Sequence, residues 1–198
     1  MSDPTKLVFV GAGGHASVLY DIVTEQNYIV QAICTKPSGL ISHVFKKTPL
    51  VKDRLDPVEF DPDNYKLVNC IGHMPFSTAR FDVWNEYKNL GYVFETIISP
   101  RSSVSDFAYL DEGVQVMTNA TINSNAKIGA NTIVNTGAII EHDVKVGSSC
   151  HIAPGAILCG SVSIADGSFI GAGATIIQGV NLQQDTIVAA GSIVTKDS

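Results

Sequence analysis

The sequence predicts a two-part fold, with a small parallel α/β domain over residues 1–100 and an all-β parallel β-helix over residues 101–198. Two observations carry this expectation. From Val104 to Val194 every sixth residue is aliphatic, sixteen times in succession, and two places before each stands Ser, Ala, Thr, Cys or Val. An α-helix repeats near 3.6 residues and a strand at 2, so a strict six fits neither. A hexad repeat belongs to a solenoid of short strands and tight corners. The second observation is the apolar run Lys6–Val10, followed at once by Gly11-Ala12-Gly13-Gly14-His15-Ala16, which reads as a buried parallel strand turning into a helix.

Element by element, that helix runs to about Glu25, and Tyr28–Cys34 is the second strand. Residues 36–64 are rich in proline and polar groups and read as irregular connection. Lys66–Ile71 is a third strand ending at Gly72-His73, Phe76–Leu90 has helical periodicity, and Tyr92–Ile98 is a fourth strand feeding the solenoid. The α/β domain is expected to cover one end of the β-helix, which otherwise exposes unpaired strand edges; the far end carries no obvious cap. The G-x-G-x-x-A turn suits a phosphate, because glycine lets backbone approach it and the helix N-terminus presents N–H groups. A nicotinamide reader usually carries an acid after the second strand, where Cys34, Thr35 and Lys36 stand here, which argues against NAD.

The 198 residues carry a net charge of −6 with no basic block, so nucleic acid and anionic membrane are poor partners. The four cysteines show no C-x-x-C spacing and read as reduced thiols. Residues 146–165 lack formal charge, but they are rich in Gly and Ser and keep the six-residue beat, so they are solenoid and not a membrane span. Leu7–Val10 is too short for a signal peptide. A soluble, cytoplasmic protein is the expectation.

With three hexads per turn, residues eighteen apart stack at about 5 Å, the spacing of neighbouring strands. Ile140 and Val144 then point inward and His142 points out at a corner between Glu141 and Asp143, with Gly160 directly above it. An imidazole beside an amide with no side chain in the way suits acyl transfer: the ring takes a proton and the N–H holds an oxyanion. Asp143 or Glu141 could orient the ring, with Glu141 more simply a solvated charge. His151 takes another outward position. Cys159 is a rival nucleophile, although direct transfer needs none. His142 and His151 are the only solenoid histidines, which disfavours a three-histidine zinc centre and gives no metal as the expectation.

The order of motifs, G-A-G-G-H-A, then N-T-G-A-I-I-E-H-D and G-x-x-x-H-I-A-P-G-A in a hexapeptide solenoid, resembles the sugar O/N-acyltransferase family across essentially the whole chain. The resemblance implies a Rossmann-like sugar-nucleotide-binding domain, a left-handed parallel β-helix, acetyl-CoA as co-substrate and a homotrimer with active sites between subunits. It implies that His142 is the general base, that Asp143 tunes it, and that the Gly160 amide binds the acetyl carbonyl. It further implies that His151 touches acetyl-CoA, that backbone at Ala172 and Ala190 follows the pantetheine, and that Asn135 lines the acceptor end. Gly13, Gly14, His15 and Gly72 match the sugar-nucleotide cleft. Thr35 and Lys36 stand where uracil readers carry acids, so UDP, dTDP and GDP all stay open. The expected function is acetyl-CoA-dependent N-acetylation of a nucleotide-linked amino-dideoxy sugar, with a 4-amino-4,6-dideoxy sugar as the first choice, for surface glycans. Sugar O-acetylation and a non-catalytic trimeric scaffold are the alternatives.

Overall fold

The computed structural model describes residues 3–35, 43–45, 48–52 and 59–197. The chain forms two compact units, Met1–Gly72 with Thr78–Ile97, and His73–Ser77 with Ile98–Ser198.

In the first unit β1 (Thr5–Val10), α1 (Gly14–Thr24), β2 (Tyr28–Thr35), β3 (Leu50–Lys52), β4 (Lys66–Asn69) and α2 (Ala79–Asn89) follow in order. The four strands make a parallel sheet of order β3-β2-β1-β4. The central strand β1 buries Leu7, Val8 and Phe9 completely, which explains its unbroken apolar run. β2 and β3 build outward on one side of β1 and β4 on the other. The strand order therefore reverses at β1, and the space beyond the carboxyl ends of β1 and β4 is a topological switch point, where open parallel sheets bind ligands.

The first unit departs from expectation in four places. Part of the stretch read as irregular is ordered: a short 3₁₀ turn, His43–Phe45, precedes β3. β4 ends at Asn69 because Arg80 Nη1 takes the carbonyls of Asn69 (2.9 Å) and Ile71 (2.8 Å) away from the ladder. α2 begins at Ala79 and not at Phe76, whose backbone is left-handed (φ 64°). The expected strand Tyr92–Ile98 shrinks to a single bridge of Phe94 to Leu67, followed by the two-residue strand β5 (Ile97–Ile98).

The second unit contains sixteen two-residue strands, β6 to β21, from Ser103–Val104 to Ile193–Val194 at six-residue intervals. Away from the two ends, each pairs in parallel with the strands eighteen residues before and after, as Ile139–Ile140 does with Thr121–Ile122 and Ile157–Leu158. The result is a parallel β-solenoid of about five turns. The aliphatic residue of each hexad and the small residue two places before it point inward, so Ile140, Val144, Ile152, Ala156, Leu158 and Val162 are all fully buried. Each such aliphatic side chain contributes roughly 1.5–3 kcal/mol. The corners need left-handed backbone, supplied by glycines and by Asn, Asp or Ser, among them Asn125 and Asp143.

Late in the solenoid a side chain replaces a rung carbonyl: Asp197 Oδ1 accepts the backbone N–H of Asn181 at 2.8 Å, whereas Ser163 N–H, one turn earlier, donates to the Val180 carbonyl.

Candidate active site

His142 leaves the solenoid at the corner between β12 (Ile139–Ile140) and β13 (Lys145–Val146). Its backbone is fixed by the coil above, where Ser161 N–H donates to His142 O at 3.0 Å. The side chain stays open to solvent at 64 % exposure. A Cβ built at Gly160 would lie 2.8 Å from both Cε1 and Nε2 of the ring. Gly160 thus sits directly over the imidazole, as the eighteen-residue stacking predicts. Among the described residues the Gly160 N–H has no acceptor, so it is a bare donor at the corner.

Asp143 settles which acid orients the ring. Its Oδ2 lies 2.8 Å from His142 Nδ1, and a carboxylate can only accept, so Nδ1 carries the hydrogen and the neutral ring bears its lone pair on Nε2, facing Gly160. Glu141 is engaged elsewhere, its Oε2 accepting from Asn123 Nδ2 at 3.1 Å. The hydrogen bond from His142, then that from Asn125 Nδ2 to Asp143 Oδ1 at 3.2 Å, holds the Asp143 carboxyl below the usual range. Asn125 escaped the sequence reading, although the stacking that places Gly160 above His142 also places Asn125 beneath Asp143. The Cys159 thiol is partly buried and makes no described contact with the ring.

His151 and Asn135 form a separate pair. The Asn135 Oδ1 accepts from Thr136 N–H at 2.8 Å, which turns its Nδ2 toward His151 Nε2 at 3.0 Å. His151 Nδ1–H then donates to the carbonyl of His73 at 3.1 Å, and the ring packs against Phe169 with centroids 5.0 Å apart. With both nitrogens engaged and 9 % exposure, His151 is not a second free base. His73, which the sequence reading left unassigned, is what covers it.

Ala172 and Ala190 stack on one corner, linked through Gly191 N–H to Ala172 O at 2.8 Å; both are exposed, and among the described residues their own N–H groups have no acceptor. That corner is not the one that holds His142 and Gly160. The face containing β15 (Ile157–Leu158) lies between them.

In the first unit Gly11 makes the turn after β1. It has φ 113°, and an added Cβ would meet Ile71 Cδ1 at 2.9 Å and Cys70 backbone at 3.1 Å. Gly13 and Gly14, by contrast, face open space, and Gly72 lies against His15 Cβ. These four, Gly13, Gly14, His15 and Gly72, therefore gather at the switch point, beside the N-terminus of α1. Thr35 ends β2, and Lys36 falls outside the described residues.

Residues 125–160 match the profile of the bacterial transferase hexapeptide (six repeats), and residues 161–196 that of the hexapeptide repeat of succinyl-transferase. Transferase of the hexapeptide-repeat class is what the repeat itself defines. Among solved structures, a His-to-Asn variant of perosamine N-acetyltransferase from Caulobacter crescentus, in complex with CoA and GDP-perosamine, is 32% identical with a TM-score of 0.86. That match covers 97% of this chain and 89% of that one. The acetyltransferase domain of PglB from Neisseria gonorrhoeae, in complex with acetyl coenzyme A, is 25% identical over 98% of this chain and 92% of that one, with a TM-score of 0.86. WeeI from Acinetobacter baumannii, at 23% identity over 98% and 93% of the two chains and a TM-score of 0.80, shows the same fold. No curated protein matches the chain in sequence. The chain belongs to the hexapeptide-repeat sugar acetyltransferases.

Proposed function

We propose that this protein moves the acetyl group of acetyl-CoA onto the amine of a nucleotide-linked amino-dideoxy sugar, a 4-amino-4,6-dideoxy sugar being the leading candidate, for surface glycans made in the cytoplasm. The observation that carries the reading is the lone pair of His142 Nε2 beneath the bare amide of Gly160. The sugar amine enters uncharged and attacks the thioester carbonyl, forming the C–N bond. His142 Nε2 takes the amine proton, Asp143 stabilises the resulting imidazolium, and Gly160 N–H holds the oxyanion until the C–S bond breaks. The imidazolium then returns its proton to the departing thiolate.

On this reading residues 1–100 are a Rossmann-like domain that takes the sugar nucleotide at Gly13, Gly14, His15 and Gly72, with Thr35 and Lys36 toward the base. Residues 101–198 are a left-handed β-helix whose Ala172 and Ala190 amides follow the pantetheine. The perosamine enzyme's complex with GDP-perosamine supports an amine acceptor and brings GDP alongside UDP and dTDP. A homotrimer explains two further features. The face between the two corners carries Ile139, Ile157 and Ile193 on its outer side, the last 70 % exposed. A second copy packed there can set its Ala172–Ala190 corner against this copy's His142–Gly160 corner. In that arrangement His151 and Asn135, although paired here, line the acetyl and acceptor ends.

Thiol release from acetyl-CoA against GDP-, UDP- and dTDP-linked amino sugars tests the reading. Turnover on one nucleotide is the expected result, and silence across amino and hydroxyl acceptors alike sinks it. Asn125 supplies a finer test. Asn125→Gly, which keeps the left-handed backbone, is expected to lower kcat about 3–10-fold, the worth of a typical hydrogen bond of about 0.6–1.4 kcal/mol. In an Asp143→Gly background the same change should cost nothing more, because Asn125 acts through that carboxylate. A drop that persists in that background would mean a structural role instead.

A further inference from the structure

We infer that Lys127 and Lys145 form a phosphate-binding subsite for a nucleotide substrate, on the solenoid face that adjoins His142. The inference rests on the acetyl-transfer reading for its ligands, although not for its test. The two lysines stand in register on neighbouring parallel strands, Lys127–Ile128 and Lys145–Val146, which places their backbones about 4.8 Å apart. Both are exposed. Among the described residues neither forms an ion pair. Like charges directly opposite one another on a sheet destabilise it, so the pair is a cost to the fold that a bound anion would offset.

The surroundings point the same way. The lysines line a groove of about 590 Å³ together with Phe107, Tyr109, Asn125 and Asp143. Asp143 is the groove's one carboxylate, and its two oxygens are already taken by His142 and Asn125. Among the described residues it forms no ion pair with either lysine, and a single carboxylate leaves the two cations with net positive charge. Phe107 and Tyr109, 77 % and 60 % exposed, offer aromatic surface on which a base can stack. The groove thus combines paired cations, an aromatic platform and the carboxylate that orients His142. The solenoid half has only Arg101, Lys127, Lys145 and Lys196 as Lys/Arg cations in a chain of net charge −6, and only Lys127 and Lys145 stand opposite one another on paired strands, so this is where a polyanionic nucleotide finds local positive potential. Both substrates of the proposed reaction carry such phosphates, and they are separable by experiment.

The test is direct binding by calorimetry to the full-length protein and to its Lys127→Gln/Lys145→Gln variant, with CoA, 3′-dephospho-CoA, GDP, UDP and dTDP as probes. The expected result is a loss of about tenfold or more for one class of probe, a flatter dependence on salt, and an unchanged or raised Tm. If CoA weakens and the preference for CoA over 3′-dephospho-CoA disappears, the subsite holds the 3′-phosphate of the coenzyme. If a nucleoside diphosphate weakens while CoA does not, it holds the diphosphate of the sugar nucleotide. Affinities within twofold for every probe overturn the inference, as does a wild-type protein that binds none of them. A protein that binds through the lysines yet turns over no acceptor would instead count against the acetyl-transfer reading and leave the subsite standing.

Discussion

His142→Ala is expected to lower kcat by about 10²–10⁴-fold at neutral pH while leaving KM for both substrates within about threefold, the signature of a lost general base. Nδ1–H is bound to Asp143, so only Nε2 can receive the amine proton, and no second base stands ready: the nitrogens of His151 are committed to Asn135 and to the His73 carbonyl. Folding should hardly change, because the ring is 64 % exposed. The sign of the Asp143 shift also matters. Its carboxyl is lowered, first by the hydrogen bond from His142 and then by that from Asn125. It is therefore charged above its ordinary value near about 3.9 and neutralised only below it. The orienting charge is intact throughout the pH range in which the enzyme would be assayed, and any acid limb between pH 5 and 7 is not the loss of Asp143. Steady-state kinetics across that range check both statements; more than a tenth of wild-type turnover in the His142→Ala protein would remove the ring from the mechanism.

The solenoid was legible because its rule is arithmetic. A six-residue period with inward aliphatics gives the rungs, and a period of eighteen gives the columns, so Gly160 over His142 follows from counting. The same counting downward reaches Asn125, a residue that draws notice only once the partner of Asp143 is asked for. The count also brings His151 beside Asn135, because His151 pairs with Ile133 on the neighbouring rung. What counting cannot give is the His73 carbonyl, which arrives from a stretch with no repeat of its own and takes the other ring nitrogen of His151. The α/β unit was legible in its first turn, where Gly11 is dictated by φ 113° and the crowding of Ile71. It was less so at β4 and Phe94, where a buried arginine and a single bridge override strand propensity. Asp197 escaped notice for the same reason, because one side chain accepting from one N–H leaves no periodic trace.

Gly160→Ala is the sharper test of the geometry, because it adds a single methyl group and removes no functional group. Gly160 does not need left-handed backbone, so alanine is conformationally allowed there; what forbids it is the imidazole, 2.8 Å from the new Cβ at both Cε1 and Nε2. Gly147 differs: a Cβ there would meet backbone of the next rung, with Asp166 N at 2.6 Å, and the solenoid itself would have to give. At Gly160 the exposed ring can swing away, so the cost should appear in catalysis and not in folding. A displacement on the order of 1 Å is enough to lower kcat about 10²-fold, with Tm moved by no more than about 2 °C. The N–H proposed to hold the oxyanion is retained, so the loss isolates the position of the ring. Added to His142→Ala, the same substitution should reduce turnover less than about twofold further, because the clash has gone with the ring. Thermal melts and kinetics on the two single variants and the double variant decide it. Full kcat in Gly160→Ala would mean that His142 works from a rotamer away from Gly160, and the bare amide would then need another catalytic partner.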